Sequence, residues 1–131
     1  MLTQPQADKL ADAWLQAWNS RDLARIMEHY ADAIEFRSPF IVKLMDIADG
    51  SLHGKPALAA YFAQGLAKFP ELHFTLLQVL PGVGSVTLLY RSVNDLLAAE
   101  TMEIDAAGKI CRVMAHYCDP AAATRGTLLE S

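Results

Sequence analysis

The sequence predicts an α+β domain in which helices pack on one face of a bent antiparallel sheet. Apolar residues recur at helical spacing in the first half of the chain, whereas apolar and polar residues alternate from Leu72 onward. The stretch from Tyr30 to Pro39 joins the two patterns, because it ends a helical segment and then alternates as a strand does. Helices followed by an antiparallel meander are typical of the α+β class.

Three helices are predicted in the N-terminal half, over residues 6–19, 22–30 and 54–69. The first helix carries an apolar stripe that includes Trp14 and Trp18, so we expect one of its faces to be buried. Asp22 is a suitable N-cap for the second helix, and Pro56 lies near the first position of the third.

Five strands are predicted, over residues 34–38, 72–80, 86–93, 96–104 and 109–117. The first strand is expected to end at Pro39, since proline has no N–H for a ladder hydrogen bond. Asn94-Asp95 is a hairpin turn signal between the third and fourth strands. Residues 40–54 are predicted to form a long connection, and such connections often serve as a lid or a wall of a pocket.

Composition limits the classes of function. The 131 residues are 53% hydrophobic and 20% charged, which suits one domain with a buried core. A net charge of −4 and a pI near 5.4 argue against nucleic acid or an anionic membrane as the partner. No apolar run approaches the roughly 18 residues of a membrane span, and no signal peptide is evident, so we expect a cytoplasmic protein.

Residues 1–120 are predicted to form one domain, and residues 121–131 a flexible tail. Cys111 and Cys118 are the only cysteines, and they lie on opposite faces of a regular strand, so two free thiols are expected. His29, His53 and His73 have no spacing typical of metal ligands, and we expect neither a metal nor a cofactor.

Short motifs along most of the chain resemble a known family. They are Trp18-Asn19, Asp22-Leu23, Tyr30-Ala31-Asp32, Ser38-Pro39, Gly54-Lys55, Tyr61-Phe62, Gly108-Lys109-Ile110, His116-Tyr117 and Asp119-Pro120. In this order they resemble the SnoaL-like branch of the nuclear-transport-factor-2-like superfamily, which includes ketosteroid isomerases, polyketide cyclases and limonene epoxide hydrolases. The resemblance implies a cone-shaped curved sheet with the three helices on its concave face, an apolar pocket and usually a homodimer. It does not imply one chemistry.

Glu100 is the main candidate for a catalytic residue. On its predicted strand it shares a face with Ala98 and Met102, which indicates that this face is the inner one. A carboxyl group in apolar surroundings must find donors, bind a cation or keep its proton. By the resemblance, Glu100 falls where the steroid isomerases have a protonated acid that hydrogen-bonds the substrate oxygen. Two alternatives stay open, a strand slip that turns Glu100 to solvent and a structural hydrogen bond to a tyrosine.

The same resemblance argues against standard steroid isomerase activity. Trp14 stands where those enzymes have a tyrosine donor, and Ser38 stands where they have the aspartate general base. An indole N–H can still donate, but a lone serine cannot abstract a carbon-bound proton near neutral pH. Asp46 and Asp49 in the long connection are other acids, although solvated loop acids are the simpler interpretation.

The pocket is predicted to have mainly apolar walls, suited to a flat or cyclic ligand. The predicted lining is Trp14, Trp18, Tyr30, Phe36, Ser38, Phe62, Tyr90, Met102 and Tyr117. Strand alternation places Tyr117 in the pocket and His116 on the outer face of the sheet. A bulge would exchange the two and permit a Glu100–His116 dyad, and this alternative also stays open.

The sequence therefore predicts a protein that binds a small apolar or polycyclic molecule, with no nucleic acid and no membrane as partner. Glu100 would serve acid–base chemistry of the isomerase, cyclase or hydratase type without a cofactor. The alternatives are a non-catalytic carrier or sensor with the same pocket, and an association domain that forms a homodimer through the outer sheet face.

Overall fold

The computed structural model describes residues 1–119 and shows a six-stranded, curved, open sheet with helices against one face. The elements are α1 (Gln4–Ser20), α2 (Leu23–Met27), β1 (Tyr30–Arg37), α3 (Pro39–Met45), β2 (Ser51–His53), α4 (Lys55–Lys68), β3 (Thr75–Pro81), β4 (Ser85–Arg91), a 3₁₀ turn (Val93–Asp95), β5 (Leu97–Ile104) and β6 (Ile110–Cys118). The predicted α+β class is confirmed. The predicted tail over residues 121–131 lies outside the described residues.

The sheet has the strand order β2-β1-β6-β5-β4-β3 and is not antiparallel throughout. β1 runs parallel to β6, whereas every other pair of neighbouring strands is antiparallel. The alternation of apolar and polar residues is the same for both directions of pairing, so the sequence pattern could not reveal the parallel pair. The predicted all-antiparallel sheet is therefore wrong at this one pair.

Local signals explain where the first two helices begin. Thr3 caps α1 in a capping box with Gln6, and Asp22 accepts hydrogen bonds from the first backbone N–H groups of α2. Arg21, between the two helices, has a left-handed backbone with φ 61°, which lets the chain turn sharply. The buried stripe of α1 includes Trp14 and Trp18, as its spacing predicts.

The long connection predicted over residues 40–54 contains an additional helix and strand, α3 and β2. Ser38 is the N-cap of α3 and Pro39 occupies its first turn, a combination that favours a helix start. Residues 1–119 therefore contain four α-helices rather than the three expected. β2 pairs with the edge of β1 that does not contact β6, and it forms one edge of the sheet.

Polar side chains at the end of α1 attach it to the neighbouring segments. Asn19 donates to the carbonyl of Phe74 at 3.0 Å and accepts from the N–H of the same residue at 2.8 Å. Arg21 donates to the carbonyls of Leu66 and Phe69 at 2.7 and 2.8 Å, near the C-terminal end of α4. These contacts fix the segment between α4 and β3, and they give Asn19 of the family motif a structural role.

The outer face of the sheet is polar and ion-paired where β1, β5 and β6 lie side by side. Arg112 contacts the carboxylates of Glu35 at 3.9 Å and Glu103 at 3.5 Å, and all three side chains are about half exposed. Exposed pairs of this kind contribute little to stability. The homodimer expected through this face stays a prediction.

Cys111 and Cys118 are free thiols, as the sequence predicts. Within residues 1–119, no helix combines the length and the apolar composition that crossing a bilayer would require.

Candidate functional site

A cavity of about 60 Å³ lies between the helices and the inner face of the sheet, and we call it the inner cavity. Its lining consists of Trp14, Trp18, Phe36, Phe40, Leu44, Tyr61, Phe62, Gly65, Phe69, Leu72, Phe74, Tyr90, Ser92, Val93, Glu100 and Tyr117. Most of these side chains are aromatic or aliphatic, and Glu100 is the one acidic residue among them. The inner cavity is thus an apolar site with a small number of polar groups.

Glu100 lies on β5 with 4% of its surface exposed, on the same face as Ala98 and Met102. Its Oε1 accepts a hydrogen bond of 2.8 Å from the hydroxyl of Tyr90 on β4. Burial raises the pKa of Glu100 to about 7, although the hydrogen bond from Tyr90 opposes that rise. Near neutral pH the carboxyl group therefore exists in both forms, and its other oxygen can donate or accept a proton.

Three tyrosines of the cavity wall supply hydroxyl groups around Glu100. Burial raises the pKa of Tyr90 and of Tyr117, and the charge of Glu100 adds to each rise. Burial raises the pKa of Tyr61 to about 12, while a hydrogen bond with Ser38 opposes the rise. These hydroxyls keep their protons near neutral pH, so they can donate hydrogen bonds but cannot act as bases.

Ser38 does not line the inner cavity and lies buried behind it, with 2% of its surface exposed. Its hydroxyl oxygen accepts a hydrogen bond of 3.2 Å from the N–H of Phe40, which caps α3. The residue at the position of the isomerase base is therefore a structural helix cap in this chain. This placement agrees with the expectation that Ser38 is not a general base.

The two tryptophans line the inner cavity with their rings, and the N–H of Trp14 is not free to hold a ligand oxygen. Trp14 Nε1 donates to the hydroxyl of Tyr30 at 3.3 Å, so this donor is already used. Trp18 Nε1 is buried and has no hydrogen-bond partner within residues 1–119. Burial raises the pKa of Tyr30 and both indole N–H groups oppose that rise, which places them near the same hydroxyl. The expectation that Trp14 would hold a ligand oxygen is not supported.

Most of the residues predicted to form the pocket do line the inner cavity. Those that do are Trp14, Trp18, Phe36, Phe62, Tyr90, Glu100 and Tyr117. Tyr30, Ser38 and Met102 do not line it and lie in the surrounding core, with 1%, 2% and 0% of their surfaces exposed. Strand parity cannot distinguish a residue that lines a cavity from one packed beneath it.

Tyr117 faces the inner cavity, and His116 lies exposed on the outer face with its Nδ1 3.2 Å from the carbonyl oxygen of Ala99. The irregularity between β5 and β6 lies at Glu103 and Ile104, away from Glu100, so the register at Glu100 is regular. The structure therefore does not form the Glu100–His116 dyad that a bulge would have permitted.

Several lining residues were not predicted from the sequence. Phe40 and Leu44 lie on α3, and their segment was predicted to be part of a long connection rather than a helix. Tyr61 and Gly65 lie one turn apart on α4. A Cβ atom added at Gly65 would have no atom within 4 Å apart from its chain neighbours and the nearby backbone of its own helix. The sequence did give a reason to expect Tyr61 near the cavity, because it lies next to Phe62, a predicted lining residue, on the third predicted helix.

The acids of the long connection do not contribute to the inner cavity. Asp46 and Asp49 are exposed, and Asp49 accepts a hydrogen bond of 3.0 Å from the N–H of Ser51. Within residues 1–119, no three His, Cys, Asp or Glu side chains are close enough together to hold a metal ion. The polar side chains of the lining are therefore Glu100, the tyrosine hydroxyls near it and Ser92, and Glu100 is the one among them that can ionise near neutral pH.

Comparisons with known proteins agree with this architecture. The family model described as a SnoaL-like domain matches residues 11–119. A SnoaL-like protein of unknown function from Burkholderia thailandensis is 37% identical, with 89% of this chain and 98% of that chain covered and a TM-score of 0.86. A "putative isomerase of the SnoaL-like family" from Agrobacterium tumefaciens is 18% identical, with 88% of this chain and 100% of that chain covered and a TM-score of 0.72.

A protein of unknown function with a cystatin-like fold, from Methylobium petroleophilum, is 19% identical. The match covers 92% of this chain and 81% of that chain, with a TM-score of 0.71. Similarity at this level of identity shows the fold alone. No protein with a curated function matches the chain.

Proposed function

Since the chain belongs to the family of SnoaL-like domains, we propose that it binds a small organic molecule in the inner cavity and holds one ligand oxygen at Glu100. We further propose that Glu100 exchanges a proton with that oxygen, in acid–base chemistry that needs no cofactor. The observation that carries this proposal is a carboxyl group with a pKa of about 7, buried in the wall of an apolar cavity.

The charges of the inner cavity favour a neutral ligand with an oxygen acceptor, such as a carbonyl compound. No lysine, arginine or histidine belongs to its lining, so nothing there would neutralise an anionic ligand. Protonated Glu100 can donate a hydrogen bond to a carbonyl oxygen through the carboxyl oxygen that Tyr90 does not contact. Tyr117 lies on the neighbouring strand β6 and can position the same oxygen from a second side.

Acid–base reactions of the isomerase, cyclase or hydratase type suit this arrangement. Each needs a proton delivered to an oxygen or removed from it, and a group with pKa near the working pH does this best. Glu100 has that property, whereas the tyrosines hold their protons too firmly and act as positioning groups. The adjacent aromatic side chains exclude water, which strengthens hydrogen bonds to the ligand.

A non-catalytic carrier or sensor is the second candidate, and one observation favours it. Glu100 is the only residue of the described lining whose pKa lies near neutrality, and no second base stands opposite it. Binding a ligand oxygen needs only this one anchor, whereas abstraction of a carbon-bound proton usually needs a separate base.

A simple ketone separates these two candidates. When Glu100 donates its proton to the carbonyl oxygen of 2-butanone, the neighbouring C–H groups become more acidic, and a solvent water or hydroxide removes a proton from carbon to give the enol. The enol then takes up deuterium at carbon and returns its O–H proton to Glu100, so an acid–base enzyme accelerates the exchange with solvent deuterium. We expect the wild type to accelerate this exchange in D₂O, measured by ¹H NMR, and Glu100→Gln to reduce the acceleration about 100-fold. Glutamine keeps a hydrogen-bond donor, so binding of the ketone should persist in that variant.

Glu100→Leu is the matched variant for binding, since leucine fills the space without a donor. We expect it to bind 2-butanone about tenfold more weakly than the wild type. Loss of binding in Glu100→Leu without any exchange in the wild type would select the carrier. Equal binding by wild type and Glu100→Leu would remove Glu100 from the site and contradict both candidates.

A further inference from the structure

A second and larger cavity of about 380 Å³ adjoins the inner cavity, and we call it the outer cavity. Its lining is Lys68, Phe69, Pro70, Glu71, Leu72, His73, Ser92, Val93 and Asn94. Four residues line both cavities, namely Phe69, Leu72, Ser92 and Val93, and we call them the neck. The two spaces are thus separated by the thickness of these side chains.

The inner cavity is smaller than the binding sites of ordinary organic ligands. Its volume of about 60 Å³ is less than half of the roughly 150 Å³ of an engineered cavity that binds benzene. Typical ligand sites have volumes of about 300–1,000 Å³. With the outer cavity, whose volume is about 380 Å³, the combined volume of the site falls within that range. A ligand with its oxygen at Glu100 must therefore extend beyond the inner cavity.

The walls of the outer cavity are held in place by specific contacts. Arg21 binds the carbonyl of Phe69, and Asn19 binds the backbone of Phe74 just beyond His73. The opposite wall is the turn at Val93–Asp95, where two successive residues have left-handed backbones with φ 56° and 59°. Such a turn keeps its shape only when its surroundings stabilise it. The outer cavity is therefore an open groove whose two walls are both held by contacts of the backbone.

We propose that the ligand is an elongated molecule, with a small oxygen-bearing head at Glu100 and an apolar body that passes the neck into the outer cavity. This inference rests on the proposed function. Three of the four neck residues are apolar, which suits a hydrocarbon segment at the neck. The rest of the outer cavity is lined mainly by polar side chains, so the far end of the body would lie partly in solvent. Lys68 and Glu71 carry opposite charges at the outer rim, so the far end of the body needs no charge of its own.

A third cavity, of about 240 Å³, offers the other direction of exit. Its lining is Pro39, Phe40, Lys43, Leu96, Tyr117 and Asp119. It shares only Phe40 and Tyr117 with the inner cavity, and their rings pack edge to face with centroids 4.8 Å apart. Two aromatic rings in contact close that side, whereas the neck contains only one aromatic ring, that of Phe69. The geometry therefore favours the route through the neck.

A series of methyl ketones tests the proposal, because the head stays constant while the body grows. We expect affinities, measured by calorimetry, to rise from 2-butanone to 2-octanone by about fourfold for each added CH₂ that is buried, from about 0.8 kcal/mol each. Val93→Trp fills the neck and should abolish this gain. His73→Trp fills only the outer rim and should reduce the gain for 2-decanone alone.

Leu96→Trp is the matched control, since it fills the third cavity and should leave the whole series unchanged. An affinity that does not increase with chain length would overturn the proposal. So would a gain that survives Val93→Trp and is lost in Leu96→Trp, because the body would then leave by the other side. If 2-butanone binds equally to wild type and Glu100→Leu, the proposed function itself fails. If Glu100→Leu binds 2-butanone more weakly, the ketone series tests only the proposal of an elongated ligand.

Discussion

The free energy of unfolding of the wild type is expected to fall, relative to Glu100→Gln, as pH rises from about 4.5 to about 7. The folded protein raises the pKa of Glu100, so the native state binds more protons than the unfolded state in this window. Stability is then present in full below the unfolded pKa and is lost as pH rises through the folded one. A shift of this size corresponds to about 3 kcal/mol.

Urea denaturation of both proteins at a series of pH values measures this difference. Glutamine can accept the same hydrogen bond from Tyr90 but cannot ionise, and all other titrating groups are common to the two proteins. The difference between the two stabilities therefore isolates Glu100. A difference that stays constant between pH 4.5 and 7 would mean that the carboxyl group is not desolvated in the folded protein.

Trp14→Ala is expected to destabilise the protein by about 3–5 kcal/mol. Trp14 has 1% of its surface exposed and contacts the rings of Trp18, Phe74 and Tyr90 with centroids 6.5, 5.7 and 5.1 Å apart. Alanine would leave a cavity at the centre of this aromatic cluster and would leave the hydroxyl of Tyr30 without its donor. Chemical denaturation monitored by circular dichroism measures the loss.

Two phenylalanine variants serve as controls for that prediction. Trp14→Phe keeps a ring but loses the hydrogen bond to Tyr30, whereas Trp18→Phe removes an N–H that has no partner among the described residues. We expect Trp14→Phe to be less stable than Trp18→Phe by about 1 kcal/mol. A loss below about 1 kcal/mol for Trp14→Ala would contradict the central position of this ring.

The sequence predicted three of the four helices of residues 1–119, most of the strands and the inward direction of Glu100 from local patterns alone. Glu100 could be placed because its strand is regular, so each residue faces opposite to its neighbours. The same argument correctly directed Tyr117 inward and His116 outward. Strand alternation shows which face of the sheet a side chain lies on, but not whether it reaches the cavity. For that reason Met102 was predicted to line the cavity, although it is packed in the core.

The cavity wall formed by α3 and the parallel pairing of β1 could not be predicted for different physical reasons. α3 is seven residues long, and a helix of that length owes its stability mainly to packing against the rest of the protein. Ser38-Pro39 was predicted to end a strand, and it also begins α3. A serine followed by proline is typical both of a strand end and of a helix start. Parallel pairing depends on which strands become neighbours, and this is a property of the whole fold.

The most direct test of the account is the pKa of Glu100 itself, measured by NMR on protein with a ¹³C label at the glutamate carboxyl carbon. Glu100→Gln identifies the resonance, because one signal disappears. We expect a midpoint near 7, and a higher midpoint in Tyr90→Phe, since the hydrogen bond from Tyr90 favours the ionised form. A midpoint near the ordinary 4.5 would place the carboxyl group in water and contradict the account.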